Sequence, residues 1–252
     1  MPRLLSGGAV LVLLDVRKGV IPDHKDPPRP AVLLSSGRPF DPARHGFGFP
    51  NPTGGPVPRT GGRLAALGAR VRRAVYGRGL CFGMALGALL GHARDLDAAG
   101  LAPSPPLLAD LRRLHLLQFR PCVVARVVFL WLSSRGGRPK VALRSLAPPG
   151  RTDLPPAVLC FGPDRLRRGF LGALAGAHAV VPYRLETRPE SVRVYVYDPN
   201  HPKDRGRYLT VHRSGGFEYG GFSTGDGWGI TLVPLSALPD LRRFPLREAR
   251  GA

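Results

Sequence analysis

Cysteine is scarce in this chain, with only Cys81, Cys122 and Cys160 among 252 residues. An odd number argues against a closed disulfide framework and for a reducing compartment, so the expected location is cytoplasmic. No pair has C-x-x-C spacing, which argues against a zinc knuckle. Long hydrophobic runs are missing as well. None reaches the roughly 20 residues of a membrane-spanning helix, and no membrane is expected as a partner. The apolar stretch Leu4-Leu5 and Ala9 to Leu14 is interrupted by Ser6-Gly7-Gly8 and stopped by Asp15, with no small-x-small cleavage site after it. It reads as a short buried strand from Ala9 to Val16, not as a secretory signal.

Acidic residues are few, 17 against 37 Lys and Arg, for a net charge of +20. Lysine is rarer still, confined to Lys18, Lys25, Lys140 and Lys203. Arginine in excess beside abundant Gly, Ala and Pro is also what a GC-rich coding sequence produces. The arginines are spread along the chain and form no block of five or six like charges. Non-specific attraction to nucleic acid and other polyanions follows from this balance. A specific nucleic-acid site does not, because no recognised motif is present and aromatic residues do not interleave with basic ones along the chain.

Hydrophobic residues make up 43% and charged residues 21%, a globular balance. Residues 17–60 are rich in Pro, Gly and Asp and read as a long irregular loop, a kind of segment that often carries function. Within it, His45-Gly46-Phe47-Gly48-Phe49-Pro50-Asn51 is expected to be pinned to the core by its aromatics. Helical periodicity occupies about 61–135. Leu64, Leu67, Val71 and Val75 give one helix from Leu64 to Tyr76. A second, Leu80 to Ala93, is apolar all round and rich in small residues, the pattern of a buried central helix. Leu107 to Leu117 and Val123 to Leu132 follow, the latter open to a strand reading because of its β-branched residues. Strands are predicted over about 157–235, at Ala157–Phe161, His178–Glu186, Val192–Tyr197, Arg207–Arg213 and Gly229–Val233, with a helix or a helical turn from Pro163 to Leu174. Gly215-Gly216, Gly220-Gly221 and Gly225-Asp226-Gly227 punctuate them. The expected fold is one α+β domain over 1–252, its helical first half packed on an antiparallel sheet or half-barrel in the second.

Two segments carry chemistry. Gly79-Leu80-Cys81 places a thiol at a helix start, where free backbone N–H groups favour a negative sulfur and can donate to an oxyanion. Downstream, His178 opens a strand and Asp198-Pro199-Asn200 ends the next. If the two strands pair around Arg188, Asp198 lies opposite His178; a register centred on Pro189 puts Asn200 there instead. Either side chain would take one ring nitrogen and leave the other for a thiol. Cys122 and Cys160 lie in apolar runs and read as inert core residues. His24, His92 and His115 have no partner pattern, while the loop of His45 is suited to lining a cleft. His201 and His212 with Asp198 and Asp204 fit no established zinc spacing, and neither a metal nor a cofactor is expected.

These segments resemble a bacterial group of papain-like cysteine peptidase-fold proteins. That group shares a Cys-Gly-Gly-Met helix start, a His-x-Val-x-x-Tyr strand and a Tyr-Asp-Pro-Asn-x-Pro turn. The matching residues are Cys81-Phe82-Gly83-Met84, with Phe82 in place of a glycine, His178 to Tyr183, and Tyr197-Asp198-Pro199-Asn200-His201-Pro202. The resemblance implies a papain-like fold with Cys81 as nucleophile, His178 as general base and Asp198 or Asn200 as orienter. The implied activity is that of a cysteine peptidase or related acyl-transferring hydrolase on amide or thioester substrates, with a peptide or protein as partner. Such enzymes usually carry a glutamine shortly before the cysteine as oxyanion donor. Val75 and Tyr76 stand there instead, leaving Arg78 or Asn51 from the long loop, and Asn51 is the candidate. The alternatives are a catalytically inactive papain-like binding module and a basic nucleic-acid-binding protein. No feature of the sequence sets an oligomeric state.

Overall fold

The computed structural model describes residues 38–53, 79–121, 123–124, 139–147, 154–163 and 176–235, with single positions at 238, 241, 244 and 246. The expected strand at Ala9–Val16, the helix at Leu64–Tyr76, most of Val123–Leu132, residues 164–174, His24, Arg78 and Cys122 lie outside the described residues.

Among the described residues seven strands form one antiparallel sheet. They are β1 (Ala157–Pro163), β2 (His178–Thr187), β3 (Ser191–Tyr197), β4 (Tyr208–His212), β5 (Phe217–Tyr219), β6 (Phe222–Ser223) and β7 (Trp228–Pro234). The order across the sheet is β6-β5-β4-β3-β2-β1-β7, so the two edge strands are consecutive in the chain. Laid flat, seven strands span about 29 Å. The link from Ser223 to Trp228 reaches about 17 Å at most. The sheet must therefore curl until its edges nearly meet, and Phe222 on β6 packs edge-on against Trp228 on β7 with ring centroids 4.7 Å apart.

Alternation along the strands sorts side chains to the two faces. Val180, Val194, Val196, Leu209, Val211, Phe217, Ile230 and Leu232 form one buried cluster with Phe161 and with Ala142 and Leu146 of a helix at Pro139–Leu146. Ala179, Val181, Tyr197, Val158 and Val233 face the other way, onto the helical layer. Among the described residues the α-helices are, in chain order, α1 (Pro42–His45), α2 (Cys81–Ala93), α3 (Pro105–Leu116) and α4 (Pro139–Leu146). The α+β expectation and the antiparallel sheet are therefore observed.

The helix expected from Leu80 to Ala93 is α2, buried from Cys81 to His92. Its small residues have a steric purpose: a Cβ on Gly83 would stand 2.2 Å from the Leu111 carbonyl oxygen of α3. Helix α3 begins two residues before its expected start, because Ser104 caps it and Pro105 occupies the first turn, where a missing N–H costs nothing. Four of the elements named here escaped the sequence reading: α1, inside the expected irregular loop, and α4, β5 and β6. The strands are three and two residues long, too short to show alternation.

Part of the 17–60 loop is ordered by its aromatics, as expected. The Tyr197 hydroxyl accepts from the Phe47 N–H at 3.0 Å. His45, buried, accepts from the Asp41 N–H at 2.9 Å and packs against His92 of α2 with ring centroids 4.6 Å apart. Burial, then the charges of His92 and Arg44, lowers the His45 pKa. The neutral ring that the Asp41 bond requires is thereby favoured. These contacts carry the loop to Asn51. Among the described residues no helix is long and apolar enough to cross a membrane.

Candidate active site

Cys81 is the first residue of α2, and the residue before it, Leu80, offers no side-chain cap. The turn into the helix is set by Gly79 at φ +107°, a left-handed conformation that glycine adopts without strain. The Asn51 amide fills the space beside it. A Cβ on Gly79 would lie 2.2 Å from Asn51 Nδ2 and 2.5 Å from Oδ1. Asn51 Oδ1 accepts from the Leu80 N–H at 2.5 Å, and its Nδ2 donates to Asn200 Oδ1 at 2.9 Å. The Asn51 backbone N–H donates to the Pro199 carbonyl at 2.8 Å. One buried residue thus ties the start of α2 to the turn that follows β3. Gly79→Ala is expected to lower stability by about 1–3 kcal/mol, since it adds left-handed strain and displaces Asn51. Urea denaturation measures this, and an unchanged midpoint would refute the clasp.

His178 is the first residue of β2. Near the site the β2/β3 pairs are Val181↔Tyr197 and Pro182↔Val196. The register centred near Arg188 is therefore wrong, and the one centred on Pro189 holds at this end. A bulge between Pro182 and Arg184 shifts the rest of the ladder by one. Continued past Tyr197, the observed register would set Asn200 opposite His178, but the strand ends first. Asp198 lies two residues back and so on the same side of the strand. It takes the ring: His178 Nε2 and Asp198 Oδ1 are 2.8 Å apart, both buried. Asn200 is exposed and serves elsewhere. Its N–H donates to Asp198 Oδ1 at 2.8 Å and its side chain accepts from Asn51.

The second nitrogen of His178 is left for Cys81, which lies close enough to act on the charge of the ring. Burial alone would lower the His178 pKa. The bond to Asp198 and the proximity of Cys81, with the charges of both, outweigh it and carry the ring up to about 9. Burial would likewise raise Asp198. The His178 bond and charge, the Tyr219 hydroxyl and the Asn200 N–H reverse that and hold the carboxyl at about 2. Two partners of Asp198 were not anticipated. Tyr219 donates to Oδ2 at 2.5 Å, and Arg207 Nε stands 3.3 Å from the same oxygen and 3.1 Å from the Tyr219 hydroxyl. Tyr219 sits on the unread strand β5. Aromatic neighbours box the His178 ring, with Phe161 and Phe222 stacked at 6.1 Å.

The structure thus brings Cys81, His178 and Asp198 together and sets Asn51 and Asn200 beside them as a brace. Cys160 is closer to this group than its apolar context suggested. It pairs with Ala179, is partly exposed, and lies near enough to Cys81 to feel its charge. Burial first, then that charge, raises its pKa. His201 is exposed, and His212 stands 3.3 Å from Glu218 on the next strand. Among the described residues no three His, Cys, Asp or Glu side chains are grouped to hold a metal ion. Comparison with protein-family models, curated proteins and solved structures gave no match.

Proposed function

We propose that this chain is a cysteine-dependent acyl-transfer enzyme of papain-like type, acting on amide or thioester carbonyls. One observation carries the reading: the buried His178 ring is held by Asp198 at 2.8 Å and stands beside Cys81 at the start of α2. In the proposed cycle the Cys81 sulfur attacks the carbonyl as a thiolate. The oxyanion forms next to the uncapped N–H groups at the start of α2. The His178 imidazolium gives its proton to the departing amine or thiol, leaving an acyl thioester on Cys81. Neutral His178 then takes a proton from water, whose oxygen attacks the thioester. The acid departs and the thiolate–imidazolium pair returns. Asp198 fixes the ring and balances its charge throughout.

The runner-up is an inactive module of the same architecture. It is favoured by the engagement of the Asn51 amide, whose oxygen serves Leu80 and one N–H serves Asn200, so that a single N–H is left for an oxyanion.

Brief iodoacetamide treatment with mass mapping tests the thiol chemistry. Cys81 is expected to label before Cys160 and Cys122, and His178→Ala to slow Cys81 labelling by about 10- to 100-fold at neutral pH. Preferential labelling of another cysteine refutes the assignment. The pH dependence has a defined sign. His178 has a raised pKa, so the proton needed by the leaving group is present at neutral pH and is lost as pH rises through about 9. Turnover should fall on the alkaline side over that range.

A further inference from the structure

Arginines and tyrosines do not alternate along this chain, but across the strands they do. Arg184 on β2 lies opposite Tyr195 on β3, and Tyr195 lies opposite Tyr208 on β4. The Arg184 guanidinium sits 3.8 Å from the centre of the Tyr195 ring, and that of Arg193 sits 4.3 Å from the centre of Tyr208. The two rings meet at 5.5 Å. Tyr195 is buried and its hydroxyl donates to Glu186 at 2.6 Å, so the platform beneath Arg184 is fixed. Arg188 pairs with the other oxygen of Glu186. The Arg184 and Arg193 guanidinium groups have no ion-pair or hydrogen-bond partner among the described residues.

The position of this stair matters. The bulge after Pro182 turns Arg184 onto the face that carries Val181 and Tyr197, against which α2 packs. Phe40 packs against both Tyr183, next to Arg184, and His92 near the end of α2, so the stair lies toward the end of α2 opposite Cys81. A guanidinium laid on a ring keeps its N–H edges available in one plane, suited to a carboxylate.

We propose that Arg184, Tyr195, Tyr208 and Arg193 form a recognition site for acidic side chains of a polypeptide, a docking surface apart from Cys81. Two features favour peptide over nucleic acid. Tyr195 is buried under Arg184, so no row of open rings remains for bases to stack on. Glu186 stands opposite Arg193, where a continuous phosphate backbone would meet it and spaced carboxylates need not.

The test is fluorescence anisotropy with the full-length Cys81→Ala protein. The probes are a short Glu-rich peptide, its Gln isostere and a single-stranded oligonucleotide. The doubly substituted Arg184→Gln, Arg193→Gln protein is expected to bind the acidic peptide roughly tenfold more weakly at about 0.1 M salt, and the Gln isostere unchanged. Arg120→Gln with Arg144→Gln removes the same charge from exposed positions elsewhere and should cost less than about twofold. Thermal melts confirm that both variants fold, and Arg184→Lys with Arg193→Lys, which keeps the charge but loses the stacked fork, should fall between them. Equal losses from the two pairs of glutamine substitutions would overturn the proposal, since net charge alone would explain them. So would an oligonucleotide that binds more tightly than the peptide and depends on Arg184 and Arg193. Absence of peptide binding to the parent protein would also overturn it, while leaving the Cys81 labelling result untouched.

Discussion

Cys81→Ala is expected to reduce turnover of an amide or thioester substrate by at least about 10⁴-fold while the fold stays intact. The sulfur is the only group in the proposed cycle that bonds to the acyl carbon, and nothing else in the site replaces it. Alanine at the first position of α2 keeps the helix, being the best helix former, and His178 keeps its bond to Asp198. His178→Ala should cost a comparable factor. The double variant should be hardly slower than either single one, because residues that act as one unit lose their effect together. Single-turnover assays with activated thioesters and a mixed peptide library measure all three. If the Cys81→Ala protein matches the parent, the enzyme reading fails and the inactive-module reading takes its place.

The core of the site was legible because two patterns with different periods met at it. An apolar run broken by Gly77-Arg78-Gly79 marked the start of α2, and two alternating stretches about a short turn marked β2 and β3. The register was not legible. A bulge adds a residue to one strand without any mark in an apolar run, and the turn Arg188 N–H to Ser191 carbonyl sits one residue later than assumed. The Asp198 reading survived because its competitor, Asn200, is two residues away and shares its face. What separated them was where β3 stops. The chain leaves the ladder at Tyr197, and Asp198 turns in with it.

The support around the site was largely invisible for a different reason. Tyr219 and Arg207 reach Asp198 through strands β4 and β5, and β5 is too short to announce itself. Asn51 was noticed, but only as a donor to an oxyanion. Its role as a brace depends on Leu80 and Asn200, residues 29 and 149 positions away. The arginine and tyrosine stair is hidden in the same way, since its contacts run across strands while a reading along the chain compares neighbours. Non-local contacts of this kind need the register first, and the register was the part that could not be read.

Asp198→Ala is expected to lower the unfolding free energy by about 3–5 kcal/mol near neutral pH, the cost of breaking a buried ion pair from one side. The carboxylate satisfies a His178 ring nitrogen, the Tyr219 hydroxyl, the Asn200 N–H and part of the Arg207 charge. Its loss leaves the Nε2 of a buried ring and the hydroxyl proton of Tyr219 without an acceptor at once. The pH dependence identifies the cause. The Asp198 pKa is depressed, so its contribution is present above the ordinary carboxylate value and is lost as pH falls through about 2. The His178 pKa is raised, so its contribution is full below the ordinary histidine value and is lost as pH rises through about 9. The gap between parent and variant should therefore be widest between about pH 4 and 6.5 and narrow on both sides. Asp198→Asn keeps the shape and one acceptor, so it should lose less stability while still removing the charge that holds the His178 proton. In that variant, burial should draw the ring pKa down, visible as a shift of its NMR titration to lower pH. Urea midpoints collected across this range decide the matter. A stability gap that is constant from acid to alkaline pH would mean that Asp198 acts through packing alone, and the His178–Asp198 pair would lose its place in the site.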